Sequence, residues 1–369
     1  MSAAGRRIPL ARPSIGDGER AAADRALVSG RLVLGPENRR FEQALAELAG
    51  RSHAIATASG TAALELSLWA LGVRPGQRVL VTAFGFVAAA NVVARLGATP
   101  VPVDVDAATW NVDPDAARSL ADGAVGLISI DQLGTVATAA PLEALCAERG
   151  MWLLDDAACG LGASDSAGVP GGGYGRAATL SFHPRKVVTT GDGGAILTDD
   201  DTLAEKLRQL RNHGQRGRGD FARVGTNARL SEPAAAVGSA QLARLPAMLA
   251  ERRLLARGYL DRLAPLIEAG TIAPQQPVDG AMHAYQTFAL RLADGVRRAD
   301  VIDALDARDI EAGPATYAFH RLASFAGGAA GPLPVADALH DRGLALPLFC
   351  GMRSGELDRV AEALAELLS

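Results

Sequence analysis

Short apolar runs alternate with stretches of helical periodicity through the first half of the chain. His53–Thr57 reads as a strand and Thr61–Leu71 as a helix. Arg78–Thr82 reads as a strand and Val87–Leu96 as a helix; Val125–Ile130 is a strand, Pro141–Arg149 a helix and Met151–Asp155 a strand again. Such alternation predicts an α/β fold, a mostly parallel central sheet covered by helices on both faces. From Ala177 the rhythm changes. Ala177–Phe182 and Gly194–Thr198 read as strands separated by a segment rich in Pro, Thr and Gly, and Thr202–His213 as a helix. Gln215–Arg229 is polar, with many Gly and Arg, and reads as an exposed loop. A long helical pattern covers Glu232 to about Leu263, where Pro246 is expected to bend or break it. Beyond it lie a strand at His283–Leu292, a helix at Arg298–Arg308 and an amphipathic terminal helix at Gly355–Leu368. The division expected is a large domain over 1–245, including the N-terminal segment, and a small C-terminal α/β domain over 246–369.

Composition narrows the class. At 369 residues and 49% hydrophobic, the chain can bury a large core and is not disordered. A net charge of -4, with no basic stripe, makes nucleic acid an unexpected partner. The 3 cysteines have no metal-like spacing, and their odd count suits reduced thiols, so no metal site is expected. MSAAGRRIPLARPS has arginines but no apolar run, unlike a signal peptide, and no apolar stretch is long enough for a bilayer. A soluble, cytoplasmic enzyme is expected, with no membrane association.

Three local features carry chemistry. Asp156 follows an apolar strand, at the sheet edge where open α/β folds bind ligands, and Lys186 follows the strand Ala177–Phe182. A pyridoxal 5'-phosphate (PLP) enzyme needs this pair: a lysine to form a Schiff base and a carboxylate to keep the pyridine nitrogen protonated. An Asp and a Lys alone are more often a strand-end cap and a surface charge. Ser59, Gly60, Thr61 and Ala62 open a helix after a strand, an arrangement that suits a phosphate but also an ordinary N-cap. Phe86, at a strand-to-helix turn, is placed to stack on a planar ring or simply to staple the helix.

Taken together in order, IPLARPSIG, LGPENRRFEQALAE, ASGTAALELSLWALGVRPGQ, NVVARLGATPVPVDVD, DDAACGLGA, SFHPRKVVTTGDGGAILTDD, LRNHG, GTNARLSEPAAAVGSAQL and LALPLFCGM resemble the DegT/DnrJ/EryC1/StrS family of PLP-dependent sugar aminotransferases, in the aspartate aminotransferase superfamily (fold type I). The resemblance implies Lys186 as the Schiff-base lysine and proton shuttle, and Asp156 as partner of the pyridine nitrogen. It implies Gly60, Thr61, Ala62 and Ser181 around the phosphate, Phe86 on the ring, and Asn227 reaching the phosphate of a neighbouring subunit in a homodimer. Arg229 and His320 are implied near the substrate. Cys159 stands where the family usually has Gln or His on the cofactor's phenolic oxygen. Gly85 replaces a usual Thr, and Asp131-Gln132-Leu133-Gly134 replaces a His-x-Tyr-Gly type segment.

The activity implied is transfer of an amino group from glutamate or glutamine to a nucleotide-linked keto-deoxyhexose, for amino-sugar biosynthesis. Alternatives are amination of a cyclitol ketone and a non-catalytic PLP-binding regulator or scaffold. A sugar dehydratase of this type would carry histidine in place of Lys186. Of the 6 histidines, His183 reads as packing and His213 as a helix end that suits the dipole.

Overall fold

The computed structural model describes residues 7–326 and 331–368; residues 1–6, on which part of the signal-peptide reading rests, lie outside that range. Seven strands make the large sheet: β1 (His53–Thr57), β2 (Arg78–Thr82), β3 (Thr99–Val103), β4 (Ala124–Ile130), β5 (Trp152–Asp156), β6 (Ala177–Ser181) and β7 (Gly194–Thr198). Their order is β1-β7-β6-β5-β4-β2-β3. Only β7 runs antiparallel to its neighbours, so the sheet is mostly parallel, as the alternation predicts. Both faces are buried, which is why these strands read as continuous apolar runs. Leu80, Leu127, Leu153 and Leu180 join Phe41 in one core; Val79, Val81, Ile128 and Leu154 join Ile55 and Leu64 in the other.

Eight helices accompany this sheet: α1 (Asp17–Val28), α2 (Pro36–Ala49), α3 (Gly60–Leu71), α4 (Ala88–Arg95), α5 (Pro114–Leu120), α6 (Ala139–Arg149), α7 (Asp201–Arg211) and α8 (Glu232–Leu242). The start of α2 is held by a distant residue. Buried Glu232 accepts from the N–H groups of Gly35, Glu37 and Asn38 at 2.8, 2.8 and 3.0 Å, satisfying donors that a helix start leaves open. The polar stretch after α7 is more ordered than expected: Gln215–Gly217 (β8) and Asp220–Phe221 (β9) form a small hairpin.

The long pattern after Glu232 is two helices. α8 ends at Leu242 and α9 (Leu245–Glu268) follows, with Pro246 in its first turn, where a missing N–H costs nothing. A second, antiparallel sheet of β10 (Ile272–Pro274), β11 (Phe288–Leu292), β12 (Gly313–Pro314) and β13 (Gly343–Leu346) packs with α10 (Arg298–Asp306), α11 (Pro334–Arg342) and α12 (Ser354–Leu368). The N-terminal segment reaches this lobe: Ile8 sits in its core and bridges Ile310. Among the described residues, no helix is long and apolar enough to cross a membrane.

Candidate active site

The pairing directions put the C-terminal ends of β1, β2, β4, β5 and β6 on one edge, where β7 begins. Parallel strands leave their connections, and hence their ligand-binding loops, on that edge. Asp156 is the last residue of β5 and Ser181 the last of β6. Gly60 opens α3 just after β1. Phe86 follows β2 and is 65% exposed, so it is not the buried staple that an isolated aromatic at such a turn suggests.

Lys186 lies in the loop joining β6 to β7. Its Nζ donates to Cys159 Sγ at 3.0 Å, so the lysine and the departure from the family's usual Gln or His meet directly. Asp156 is buried; its Oδ1 accepts from the Ala158 N–H at 3.3 Å and the Thr179 hydroxyl at 3.4 Å, and Oδ2 has no donor among the described residues. Burial raises the Asp156 pKa, and the positive charge of Lys186 opposes that rise.

The start of α3 is shaped by close approach. A Cβ on Gly60 would lie 2.8 Å from Ser181 Cβ, and one on Gly194 would lie 2.4 Å from the Ser59 carbonyl oxygen. Glycine at both positions lets the first turn of α3 settle against β6 and β7. Ser59 Oγ accepts from the Ala62 N–H at 3.1 Å, an ordinary N-cap. Ala62 is therefore capped within the chain, while the N–H groups of Gly60 and Thr61 make no such bond among the described residues.

Three further positions fall around this edge in different ways. Asn227 is exposed; its Oδ1 accepts from Arg229 Nε at 2.9 Å, and the Ala228 carbonyl accepts from the Ala58 N–H at 2.9 Å, beside the end of β1. Arg229 also donates to Asn212 Oδ1 at 3.0 Å. His320 sits in a short 3-10 turn, with Nε2 3.1 Å from Asp337 Oδ1 and a buried Nδ1 that has no partner among the described residues. The preceding residues join the edge: the Gly85 N–H donates to the Tyr317 carbonyl and the Phe319 N–H to the Ala83 carbonyl, at 2.8 and 3.0 Å. His183 is exposed, and its Nδ1 accepts from the Arg185 N–H at 3.2 Å, closing a local turn.

The departures at Gly85 and Asp131-Gln132 fit one another. A Cβ on Gly85 would lie 2.5 Å from Ile130 Cδ1 and 3.2 Å from Gln132 Nε2. Gln132 donates to the carbonyl of Phe84, and together with Ile130 it occupies the space that a Thr side chain at 85 would need. Asp131 is fully buried; its Oδ1 accepts from the Ala137 N–H at 3.0 Å and the Tyr174 hydroxyl at 3.4 Å, while Oδ2 is buried without a partner among the described residues. Burial, reinforced by Asp155 and Asp156, holds its pKa far above the carboxylate range.

Asp155 and Thr179 escaped the sequence reading; the only signal was a doubled Asp ending an apolar run. Burial pushes Asp155 up to about 8, against the opposing bond from the Gly172 N–H at 2.9 Å. A carboxyl whose folded pKa is raised contributes its full stability below the unfolded pKa, where both states are protonated. It loses that contribution as pH rises through the folded pKa, because the folded state alone must hold the proton or bury the charge. Stability of the wild type should therefore fall from about pH 4 to about pH 8, the window between the ordinary and raised values. Asp155→Asn, which keeps the acceptor for Gly172, should flatten that slope. Thermal melts of both proteins across the window measure it; parallel slopes would remove Asp155 as the cause.

Among the described residues, no group of three His, Cys, Asp or Glu is arranged to hold a metal ion. The chain is similar to known proteins along most of its length. Residues 13–365 match the DegT/DnrJ/EryC1/StrS aminotransferase family. The chain is 36% identical over 333 residues to a GDP-perosamine synthase of Caulobacter vibrioides, covering 89% of each. It is 33% identical to a pleiotropic regulatory protein of Geobacillus stearothermophilus, over 93% of this chain and 92% of that one. The solved structure of S. venezuelae DesV, in complex with a ketimine intermediate, superposes with a TM-score of 0.91 at 32% identity, covering 99% of both chains. The fold is thus that of the fold type I aminotransferases, and the chain belongs to the DegT/DnrJ/EryC1/StrS aminotransferase family.

Proposed function

We propose that this protein is a PLP-dependent aminotransferase that moves an amino group from glutamate or glutamine to a nucleotide-linked keto-deoxyhexose, in amino-sugar biosynthesis in the cytoplasm. The observation that carries the reading is the convergence of Lys186, buried Asp156 and the Gly60–Ser181 approach on one sheet edge. The likeness to a GDP-perosamine synthase over most of the chain supports the sugar.

The residues present fit PLP. The Gly60 and Thr61 N–H groups at the start of α3, with the Ser181 and Thr61 hydroxyls, suit a phosphate. The free Oδ2 of buried Asp156 suits a protonated ring nitrogen, and exposed Phe86 a ring face. When bound, PLP supplies an electron sink for the carbon beside the transferred amine. Lys186 anchors it and carries a proton to and from that carbon. Asp156 holds the ring nitrogen's proton. Arg229 and His320 are the candidates for the substrate side.

Adding glutamate or glutamine to the yellow holoenzyme should bleach its visible band, and keto-sugar nucleotides screened by product mass should then yield an amino sugar. A band indifferent to every amino donor would sink the transferase reading and favour a PLP-binding regulator. Products from cyclitol ketones alone would redirect the substrate.

Cys159 is the natural partner of the phenolic oxygen, since its Sγ is 3.0 Å from Lys186 Nζ. A thiol is a weaker donor than an amide. Cys159→Gln should therefore lower the pH at which the cofactor's visible band titrates. An unchanged or higher midpoint would mean that another group already serves the oxygen.

A homodimer with shared sites completes the reading. Asn227 is exposed, with its amide donors unengaged among the described residues, and Phe221 and Val224 nearby are 62% and 79% exposed. Large apolar side chains left out together suit a second copy. Mixing Lys186→Ala with Asn227→Ala chains should restore one intact site per hybrid dimer. Proven hybrids no more active than their parents, or a fully active monomer in sedimentation, would overturn shared sites.

A further inference from the structure

We propose that Gln286 is a positioning residue for Lys186, fixing the lysine's backbone so that its amine reaches the cofactor. The inference rests on the reading of Lys186 as the cofactor-bearing lysine. Gln286 Nε2 donates to the Arg185 carbonyl at 2.7 Å, and its Oε1 accepts from the Val187 N–H at 2.9 Å. One buried amide thus grips the peptide groups on both sides of Lys186, and among the described residues no other side chain bonds to either group. The grip is from the other lobe, since Gln286 lies in the segment leading into β11.

That segment is itself over-determined. Buried Arg252 donates through Nε to the Tyr285 carbonyl and through Nη2 to the Gln286 carbonyl, both at 2.8 Å. The Ala284 N–H donates to the Gly134 carbonyl at 2.9 Å and the Thr287 N–H to the Leu133 carbonyl at 3.1 Å. Gly134 has φ +111°, and a Cβ there would lie 2.8 Å from the Gln286 backbone nitrogen, so only glycine lets the segment dock on the turn after β4. Tyr285 holds a left-handed φ of 46°, a conformation that persists only where the surroundings impose it. The far side of the loop is tied separately, by Gln241 Oε1 accepting from the Thr189 N–H at 2.9 Å. Gln241 and Gln286 therefore divide the loop: one fixes its exit and the other fixes the lysine.

A rigidly held lysine matters because its amine must both bond the cofactor and move a proton at the substrate carbon. Misplacement of a reacting group by about 1 Å can cost about 10²-fold in rate. Gln286→Met keeps the length and removes both bonds; Gln286→Glu keeps the acceptor for Val187 and sets a carboxylate against the Arg185 carbonyl. With the holoenzyme, both should bind PLP and melt cooperatively, yet lower kcat by about 10²-fold while KM for the keto substrate stays within about threefold. Both should also displace the pH midpoint of the visible band, which a merely structural residue would leave in place. Gln286→Glu serves if the Met variant does not fold. Wild-type kcat and midpoint in a folded variant would overturn the proposal. Lys186→Ala, run alongside with borohydride trapping, separates the two readings: label persisting without Lys186 would refute the lysine assignment itself, whereas label absent there with normal Gln286 variants refutes only the positioning role.

Discussion

Lys186→Ala should abolish turnover while leaving a folded protein. Lys186 is half-buried, at the end of a turn closed by its own N–H to the His183 carbonyl at 2.8 Å, and Gln286 holds the peptides on both sides through main-chain atoms that alanine retains. The side-chain bond to Cys159 disappears together with the amine. Truncation therefore leaves the loop in place and removes only the reacting group. The loss in rate should be at least about 10²–10⁴-fold, the range for a positioned proton-transfer group, with the loss of covalent attachment added to it. The purified wild type should be yellow, and borohydride reduction followed by peptide mapping should place the label on Lys186. The alanine variant should take no label and should lose the visible band of a covalently held cofactor. Label on another lysine in the wild type would end the assignment.

What the sequence disclosed and what it hid follow from physics. The buried strands of the large sheet were legible because burial on both faces demands unbroken apolar runs, so β1, β2 and β4 to β7 all coincide with runs in the sequence. β3 was not. Its sequence, Thr99–Val103, carries two prolines, which argue against an interior strand. It lies at the sheet edge, beside β2 alone, where a missing N–H goes unclaimed. The expected strand at His283–Leu292 begins only at Phe288, because the residues before it are turned by Tyr285 and tied to Arg252. The positions of Asp156 and Ser181 at strand ends, and of Lys186 in the loop after β6, could be anticipated from the apolar runs that precede them. Gln286, Gln241 and Arg252 could not, since each acts on a segment distant in sequence. A glutamine inside an apolar stretch was the one trace that Gln286 left. Asp131 shows the opposite limit: the departure was visible, but not that its carboxyl is fully buried behind Asp156, whose carbonyl accepts from the Asp131 N–H at 3.1 Å.

Asp156→Asn should separate stability from catalysis. Asp131, Asp155 and Asp156 are three carboxyls buried together, and burial raises all three, Asp131 and Asp155 further still through their acidic neighbours. Removing one charge relieves that crowding. An asparagine whose Oδ1 takes the place of the Asp156 Oδ1 still accepts from Thr179 and Ala158. The variant should therefore melt no lower than the wild type. Chemistry should respond in the other direction. The amide's NH₂ then occupies the position of Oδ2, where the ring N–H of the proposed cofactor would require an acceptor. A donor there favours the unprotonated ring nitrogen and weakens the electron sink on which proton removal depends. The rate should fall by about 10²-fold or more, as when other preorganised electrostatic partners are removed from active sites. Lys186 stays in place, so the yellow colour and the borohydride label should survive, in contrast to the lysine variant. Single-turnover bleaching by glutamate isolates the affected half of the reaction. Bleaching at the wild-type rate would remove Asp156 from the site. A large drop in melting temperature would instead show that its negative charge holds the fold, through Lys186, more than it serves the cofactor.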